Sequence, residues 1–347
     1  MSGVQDILEI DGSVGEGGGQ VLRSSLALSM VLGRPFRIVN IRAGRERPGM
    51  MRQHVTAVQA AAEICSAKVD GAVTGSTSLH FVPGAVKPGA YTFSIGTAGS
   101  TTLVLQAILP ALMFAGGEST VEVQGGTHAK AAPPYEFFSQ SLAPLMEPLG
   151  ASVVPELKRI GFYPAGGGVL LARVVPGEVK GLHLHSRGQI RSRKVQILMQ
   201  RVPFHVALRE LAEVERVLGW TVSPHDIVKA QHAISPGNVV TLTMECERIT
   251  ETFCAIGQVG KSAERVAGEA IDQVREYLAH DVCVGEHLAD QLMVPMVAAW
   301  ARTRAASSFT TYPLSRHATT NAQIIEMFLP GSTRSERTGE CVRWSVG

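Results

Sequence analysis

Two charged side chains in a glycine-rich run near the start of the chain have the types and spacing to handle phosphate. Glu16 lies within the run DGSVGEGGGQVLR at residues 11–23, and Arg23 ends it. A glycine loop that opens a helix aims unpaired backbone N–H groups at one point, which favours an anion. A carboxylate beside a phosphate needs a metal ion between them. The run therefore predicts a phosphate site, and the alternative is a strand-to-helix turn that binds nothing.

A second candidate anion site is the loop IRAGRERPGMMRQH at residues 41–54. Between residues 34 and 52 the only acid is Glu46, against these arginines: Arg34, Arg37, Arg42, Arg45, Arg47 and Arg52. The planar guanidinium group matches phosphate through two parallel hydrogen bonds. The excess of arginine over lysine favours a phosphate-binding loop, and a solvated basic edge is the alternative.

Two stretches near the C-terminus place polar side chains at predicted helix starts. The run GEHLADQ at residues 285–291 puts His287, Asp290 and Gln291 on one helix face. This cluster predicts contact with a metal or a nucleotide, or else a capping region. Further along, His317 lies in PLSRHATTN, just before a predicted helix at residues 322–328. A lone histidine is more often structural than functional, so its role stays open at this point.

Residues 255–262, AIGQVGKS, are similar to a Walker A loop, since they end in Gly-Lys-Ser between a predicted strand and a predicted helix. The Walker pattern requires glycine where Ala255 stands, and no acid in a clear Walker B strand follows. A P-loop NTPase that uses Lys261 is therefore a rival interpretation, not the favoured one.

The elements that must position these residues repeat as helix, glycine stop and strand. Predicted helices at 22–32, 54–65, 101–114 and 135–149 are followed by predicted strands at 36–41, 68–69 with 79–82, 120–123 and 151–154. The repeat indicates related α/β units packed together, with their glycine loops gathered at common ends.

After Pro176 the pattern changes, which predicts an insertion. Predicted strands at 182–184, 196–200, 239–246 and 251–256 combine with predicted helices at 204–218 and 260–278, and the earlier pattern resumes at 285–301. A segment of about a hundred residues is domain-sized. We expect a large α/β domain formed by residues 1–184 and 283–347, and a small inserted α/β domain at residues 185–282.

Composition is that of a globular protein with a large core: 347 residues, 45% hydrophobic and 18% charged. A net charge of +2 does not by itself indicate a nucleic-acid partner, and 5% aromatic residues argue against base stacking as the main binding mode. Five scattered cysteines without a CxxC pair argue against a disulfide framework and a structural zinc site. Asp6 and Glu9 precede any apolar run, and the most apolar predicted helix is too short to span a bilayer. A cytoplasmic protein without membrane contact is expected.

Taken together, these stretches resemble the RNA 3′-terminal phosphate cyclase family. The motifs that carry the resemblance follow in order along nearly the whole chain: DGSVGEGGGQVLRSSLALS, IRAGRERPGMMRQHVTAVQAA, IGTAGSTTLVLQAILPAL, GGTHAKAAPP, GFYPAGGGV, GEHLADQLMVPM and HATTN. GFYPAGGGV at residues 161–169 is similar to the family signature, which usually begins with Arg or His where this chain has Ile160, next to Arg159. The fold implied is a large domain of repeated α/β units resembling the enolpyruvyl transferases, with a smaller inserted α/β domain.

The resemblance also implies a ligase reaction on RNA. Family members use ATP and a divalent cation, Mg or Mn, to convert an RNA 3′-phosphate end into a 2′,3′-cyclic phosphate, with release of AMP and diphosphate. A histidine attacks the α-phosphorus of ATP, the adenylate moves to the RNA 3′-phosphate, and the 2′-hydroxyl then displaces AMP. The expected partners are ATP and RNA 3′-phosphate ends, and the oligomeric state is left between monomer and homodimer.

Carried over residue by residue, the resemblance makes His317 the adenylated nucleophile and Glu16 the metal ligand. The family's phosphate and active-site residues match Arg23, Arg42, Arg45, Gln53 and His54, and its ATP pocket matches Gln106, Pro133, His287, Leu288, Ala289, Asp290 and Gln291. His287 stands where the family more often has a tyrosine that packs against adenine. Two rivals remain: a non-catalytic relative without the nucleophilic histidine, and an enolpyruvyl transferase that shares the repeat architecture.

Overall fold

The computed structural model describes residues 7–347. Asp6, one of the two acids noted near the N-terminus, lies outside the described residues. The helices are α1 (Gly19–Leu32), α2 (Arg52–Cys65), α3 (Thr101–Leu112), α4 (Tyr135–Phe137), α5 (Phe204–Leu218), α6 (Ala263–Ala279), α7 (Glu286–Thr303) and α8 (Arg316–Phe328). The strands are β1 (Leu8–Asp11), β2 (Phe36–Val39), β3 (Lys68–Asp70), β4 (Leu79–Val82), β5 (Ala90–Ser94), β6 (Ser119–Gly125), β7 (Leu149–Arg159), β8 (Gly168–Val179), β9 (His183–Leu184), β10 (Ile190–Gln200), β11 (Ile227–Lys229), β12 (Gly237–Cys246), β13 (Thr250–Ile256), β14 (Ser307–Thr311), β15 (Thr333–Thr338) and β16 (Cys341–Val346). Within residues 7–347 no helix is long and apolar enough to cross a membrane.

Three of the four sheets have the same topology, which confirms the predicted repeat of α/β units. Their strand orders are β1-β2-β4-β3, β5-β6-β8-β7 and β9-β14-β16-β15. In each sheet the first two strands are parallel and the last two strands form an antiparallel pair. A single helix, α1 or α3, lies between the parallel strands of the first two sheets, and in the third sheet α7 is the helix that leads into the second parallel strand, so these three helices occupy equivalent places in the three units.

The fourth sheet, β11-β10-β12-β13, interrupts the third unit between β9 and α7. Helices α5 and α6 cover it, and its own core includes Leu211 and Val214 of α5 with Val266, Ile271 and Val274 of α6. A much larger core joins the three repeated units. This arrangement agrees in position with the predicted insertion, and the division into two domains at residues 185 and 282 stays a prediction.

Helix α1 is buried along nearly its whole length, which is typical of a helix packed inside a core. Leu22, Leu26 and Leu28 are fully buried, and Gly33 ends the helix in the left-handed conformation with its N–H donating to the Ser29 carbonyl. Arg23 is buried in the same helix. An arginine in this setting needs a specific reason, because burying a charge is costly unless it is compensated.

The prediction of one helix over residues 135–149 is wrong. Only Tyr135–Phe137 is α-helical, Phe138–Leu142 forms a π-helical turn and Ala143–Met146 a 3-10 turn. Pro144 and Pro148 lie in this stretch and lack the N–H group that an α-helix requires. Strand β7 has already begun at Leu149, where the helix was expected to end.

The C-terminal hairpin of β15 and β16 was not predicted. Strand β15 reads TRSERT and is almost wholly exposed, so it lacks the apolar alternation that marks a half-buried strand. Strand β16 supplies the buried residue Trp344, which packs on Phe309 of β14 with ring centroids 5.3 Å apart.

Glu210 of α5 carries the first testable prediction, one about stability. Its side chain is fully buried, Oε1 accepts a hydrogen bond from Asn238 Nδ2 at 2.5 Å, and Oε2 has no partner within residues 7–347. Burial raises the pKa of Glu210 from 4.5 to about 7. Between those two values the folded chain holds a proton that the unfolded chain has released, so the free energy of unfolding falls as the pH rises.

Glu210→Gln cannot ionise, and we expect it to be more stable than wild type by about 3 kcal/mol near pH 8.5 and by under about 1 kcal/mol near pH 5. Urea denaturation at both pH values measures the difference. Glu215→Gln, at an exposed position of the same helix, is the control and should match wild type at both. An advantage of Glu210→Gln that is independent of pH would contradict the prediction.

Candidate active site

Helices α1, α2 and α3 begin close to one another, and side-chain hydrogen bonds join them. Arg23 Nε donates to Gln106 Oε1 at 2.7 Å, which connects α1 to α3. Gln53 Oε1 accepts from the backbone N–H of Ser100 at 3.0 Å, which connects α2 to the residue that caps α3. The N-terminal ends of these helices carry partial positive charge and favour an anion.

Helices α7 and α8 join the same group through Asn321, which is fully buried. Asn321 Oδ1 accepts from Gln20 Nε2 at 2.9 Å, and its Nδ2 donates to the Asp290 carbonyl at 2.8 Å. Ser24 Oγ donates to the same Oδ1. Gln20, Ser24 and Asn321 were not among the residues predicted for the site. Their only sequence signal is a polar type on an otherwise apolar helix face, close to a helix start.

The glycine loop before α1 presents Glu16 to this space. Its backbone N–H donates to Thr320 Oγ1 of α8 at 2.9 Å, and its carboxylate forms an ion pair with Arg45. Gly15 precedes it with φ of 65°, and a Cβ there would collide with the Thr320 side chain. Glycine is therefore needed at position 15, both for its conformation and for the close approach of α8.

His317 lies on the other side of Glu16, with its Nδ1 at 3.8 Å from Glu16 Oε2. The residue was predicted to lie before a helix, but α8 already starts at Arg316 because Ser315 Oγ caps the helix by accepting from the Ala318 N–H at 3.2 Å. The side chain is 49% exposed. Partial burial lowers the pKa of His317, and the charges of Arg23 and Arg45 lower it further, so the imidazole is neutral at pH 7. A neutral imidazole is a competent nucleophile.

Arg23 lies behind this pair as a buried cation without an acidic partner. Its side chain is bonded to two neutral amides, Gln106 through Nε and Gln20 through Nη2, and no carboxylate of residues 7–347 is within ion-pair distance. Burial lowers the pKa of Arg23 to about 10, so it stays charged at neutral pH. Its remaining nitrogen, Nη1, lies beside Gly19 and His54 Nε2. Asp290 is near enough to oppose the lowering of the pKa of Arg23, but it is not bonded to the guanidinium. A buried guanidinium without an ion pair at gathered helix starts is a site for an anion such as phosphate.

His54 is held in one tautomer by its own helix. Its Nδ1 accepts from the Met51 N–H at 3.0 Å, so the ring proton is on Nε2, which faces Gly19. Burial lowers the pKa of His54 to about 3, with Arg23 and Arg42 lowering it further. His54 is therefore a neutral hydrogen-bond donor toward the space beside Arg23, and not a charged group.

The two arginines of the second loop have different surroundings. Arg45 pairs with Glu16, whereas Arg42 has a left-handed backbone and its Nη1 donates to the carbonyls of Arg47 at 2.7 Å and Gly49 at 2.8 Å. Arg42 therefore closes its own loop with one nitrogen, and its other nitrogens have no hydrogen bond to residues 7–347.

The predicted ATP-pocket residues fall into three places. Gln106, Pro133 and Gln291 line one small cavity together with Ser24, Thr102 and Phe138. His287 is exposed at the start of α7 and lines a different, larger cleft next to Glu286, Glu251 and Tyr312. Leu288 and Ala289 face the core, with 0% and 2% exposure, so their side chains pack inside the protein and do not face either opening.

Asp290 is buried next to Gln291, whose Nε2 donates to Asp290 Oδ1 at 2.9 Å. Burial raises the pKa of Asp290 to about 7, against the opposing effects of Gln291 and of Arg23. The carboxyl group is therefore close to half protonated at neutral pH, which makes it sensitive to the charge of any bound group.

Neither a Walker-type phosphate loop nor a ready-made metal cluster is visible in the part of the chain that the structure describes. Lys261 Nζ pairs with Glu269 at 2.8 Å, and Ser262 caps α6. No group of three or more His, Cys, Asp or Glu side chains among residues 7–347 could hold a metal ion by itself. A single carboxylate such as Glu16 does fit the way Mg²⁺ is usually bound, by one or two carboxylates together with substrate phosphates.

Comparison with known proteins identifies the family. The model of the RNA 3′-terminal phosphate cyclase family matches residues 14–334, which is nearly the whole chain. RNA 3′-terminal phosphate cyclases from Ectopseudomonas mendocina (strain ymp) and Koribacter versatilis (strain Ellin345) are 49% and 47% identical to it, over 94% and 97% of this chain and 93% and 94% of theirs. The chain belongs to the RNA 3′-terminal phosphate cyclase family, which confirms the resemblance seen in its motifs.

The solved structure of the enolpyruvyl transferase NikO from Streptomyces tendae matches part of the chain. It matches 48% of this chain and 33% of its own, with 14% identity and a TM-score of 0.26. At that score the likeness says nothing about activity.

Proposed function

We propose that this protein is an ATP-dependent RNA 3′-terminal phosphate cyclase that works through a covalent histidine–AMP. The observation that carries the proposal is the arrangement of His317 beside Glu16, with the buried cation of Arg23 close by and hydrogen-bonded to neutral amides. Transfer of a nucleotidyl group requires a nucleophile, a carboxylate that can bind a metal ion and a cation that can bind phosphate. The names of its relatives support the substrate, an RNA 3′-phosphate end.

In the first step Nε2 of His317 attacks the α-phosphorus of ATP, and the bond to the β-phosphate oxygen breaks to release diphosphate. Nδ1 faces the Glu16 carboxylate, so it keeps its proton and leaves the lone pair on Nε2. The imidazole becomes cationic as the new bond forms, and the carboxylate at 3.8 Å stabilises that charge. Arg23, the neutral donor His54 and the gathered helix ends stabilise the phosphate oxygens.

In the second step an oxygen of the RNA 3′-phosphate attacks the same phosphorus, and the bond to His317 breaks. The 2′-hydroxyl then loses its proton and attacks the RNA phosphorus, and AMP leaves. Adenylation provides the leaving group, and the neighbouring hydroxyl is already tethered at the reacting centre, so proximity contributes much of the last step. We assign Arg42, Arg45 and Gln53, at the edge of the site, to the RNA phosphate.

Glu16 is the residue that would hold Mg or Mn, in exchange for its ion pair with Arg45. When bound, the metal would neutralise the charge of the ATP phosphates. Gln106, Pro133, Asp290 and Gln291 are assigned to the ATP pocket, with His287 at its outer edge. The backbone at Leu288 and Ala289 belongs to the same turn of α7, although their side chains do not reach the opening.

The proposal also covers the division into domains, the cellular location and the oligomeric state. The catalytic domain comprises residues 1–184 and 283–347, and residues 185–282 form the inserted domain, which is supported by the separate sheet and core of that segment. The location is cytoplasmic, where ATP and RNA ends are available. The oligomeric state is left between monomer and homodimer.

The proposed function is tested with an RNA oligonucleotide that carries a 3′-phosphate. Incubation with ATP and Mg or Mn should convert the end into a phosphatase-resistant 2′,3′-cyclic phosphate, with one AMP per end, and a chelator should stop the reaction. The same oligonucleotide with a 2′-deoxy terminal sugar is the control, because it has no hydroxyl to close the ring. Turnover of phosphoenolpyruvate without any cyclic phosphate would instead favour the transferase rival.

A further inference from the structure

The signature loop at residues 161–168 lies outside the set of side chains used above, and the structure connects it to the site. Gly166 packs against the Thr97–Ala98 turn, where a Cβ would meet Thr97 O at 2.7 Å and Ala98 Cα at 2.8 Å. That turn leads directly to Ser100, whose N–H is bonded to Gln53. The loop therefore continues the rim of the candidate active site.

Four further contacts hold the loop in place. Gly166 N–H donates to the Phe162 carbonyl at 2.8 Å and closes the turn, and Gly161 exchanges hydrogen bonds with Thr127. Ala165 N–H donates to Ser235 Oγ at 3.0 Å, which joins the loop to the inserted segment. Phe162 is buried, with its ring against Gly237.

Tyr163 lies at the tip of this rigid turn and is 76% exposed. It has no hydrogen bond and no aromatic neighbour among the described residues 7–347. A large aromatic ring held out by a fixed backbone is costly to leave in water and presents both faces to a ligand at little cost in conformational entropy.

The segments that pack on the signature loop contain no carboxylate. The four segments that meet there are residues 95–102, 125–135, 159–169 and 230–238, and none of them contains Asp or Glu. The same surface contains exposed Lys130 and Arg159 next to the signature loop, and Arg52, whose Nη1 lies 3.0 Å from the Cβ position of Gly96. An acid-free strip with basic groups and one exposed ring complements a single-stranded polyanion with flat bases.

We infer that this strip is the path of the RNA strand that leads to the 3′-phosphate, with Tyr163 stacked on a base near the end and with Lys130 and Arg159 on the backbone phosphates. The inference rests on the proposed function. It adds the position of the RNA strand on the protein and a role for the signature loop. It is compatible with the prediction that base stacking is not the main binding mode, because a single aromatic residue would stack on one base only.

The first test measures RNA affinity without ATP, so that no turnover occurs. Fluorescence anisotropy of a labelled, 3′-phosphorylated RNA of about ten nucleotides should show binding weakened about tenfold in Tyr163→Ala and nearly unchanged in Tyr163→Phe, which keeps the ring. Leu278→Ala, which removes another exposed apolar side chain, is the control and should bind like wild type. When an abasic site is placed at each RNA position in turn, wild type and Tyr163→Ala should bind the RNA with equal affinity at one position only, which identifies the stacked base.

The second test addresses the phosphates. The double variant Lys130→Ala with Arg159→Ala should lower the slope of log Kd against log salt by about 1.4, since each phosphate contact to a single strand contributes about 0.7. Lys180→Ala, at a lysine whose side chain is 70% exposed, should leave the slope unchanged.

Formation of the AMP adduct from ATP alone separates this inference from the proposed function. All these variants should form the adduct at the wild-type rate, because the strip serves RNA and not ATP. The inference is overturned if wild type cyclises RNA while Tyr163→Ala binds RNA with wild-type affinity, or if Tyr163→Ala loses adduct formation, which would indicate a structural role. Absence of cyclic phosphate with wild type contradicts the proposed function itself.

Discussion

We expect that replacing His317 with alanine will abolish the proposed covalent AMP adduct and lower the cyclisation of RNA by at least about a thousandfold. In the proposed mechanism the imidazole supplies the electron pair for the first bond. Of the other side chains in contact with Glu16, Arg45 is a cation and Thr320 Oγ1 is engaged with the Glu16 N–H and the Arg316 carbonyl. Mass spectrometry of the protein after incubation with ATP measures the adduct, and peptide mapping assigns it to a residue.

The control for this experiment is His225→Ala, which removes an exposed histidine of the inserted segment and should retain the full adduct. His317→Asn provides a second comparison, because it keeps a polar side chain at the start of α8 without a nucleophilic ring. An adduct of normal yield in either His317 variant, or one mapped to another residue such as Lys261, would disprove the assignment.

Replacing Arg23 with alanine reduces adduct formation about a hundredfold or more. Arg23 is the buried cation of the site, and its Nη1 lies beside Gly19 and His54 with no carboxylate bonded to it. Phosphate oxygens would supply the missing charge, so wild type should gain thermal stability from inorganic triphosphate, in proportion to RT ln(1 + [L]/Kd). Arg23→Ala should lose that gain.

Thermal unfolding of each variant is measured with and without triphosphate, and the shift that triphosphate causes is compared between variants. The shift is used because Arg23→Ala also leaves the Gln20 and Gln106 acceptors unpaired, which by itself lowers stability by about 1–3 kcal/mol. Arg37→Ala is the matched control, at an exposed arginine that pairs weakly with Glu9 at 3.8 Å. It should keep both the adduct and the triphosphate shift. An undiminished shift in Arg23→Ala would exclude Arg23 as the anion site.

Local sequence patterns predicted the helices of this chain well where residues that end a helix are present. The predicted helix at 204–218 agrees with α5 at both ends, and Gly33 ends α1 as expected. The prediction was wrong at residues 135–149, because the apolar pattern continues across Pro144 and Pro148 while the backbone does not. It missed β15, because an exposed strand lacks the apolar alternation.

The motifs of the sequence were sufficient to determine the family, the mixed α/β class and the set of candidate residues. Only the tertiary structure decided their arrangement: Glu16 and His317 are about three hundred residues apart and meet because α1 and α8 begin side by side, joined by Gln20 and Asn321. Spacing along the chain cannot reveal such a contact, since it depends on how whole helices pack. For the same reason sequence alone did not show that Arg23 is buried and bonded to neutral amides, that Leu288 and Ala289 face the core, or that Tyr163 is exposed on the signature loop.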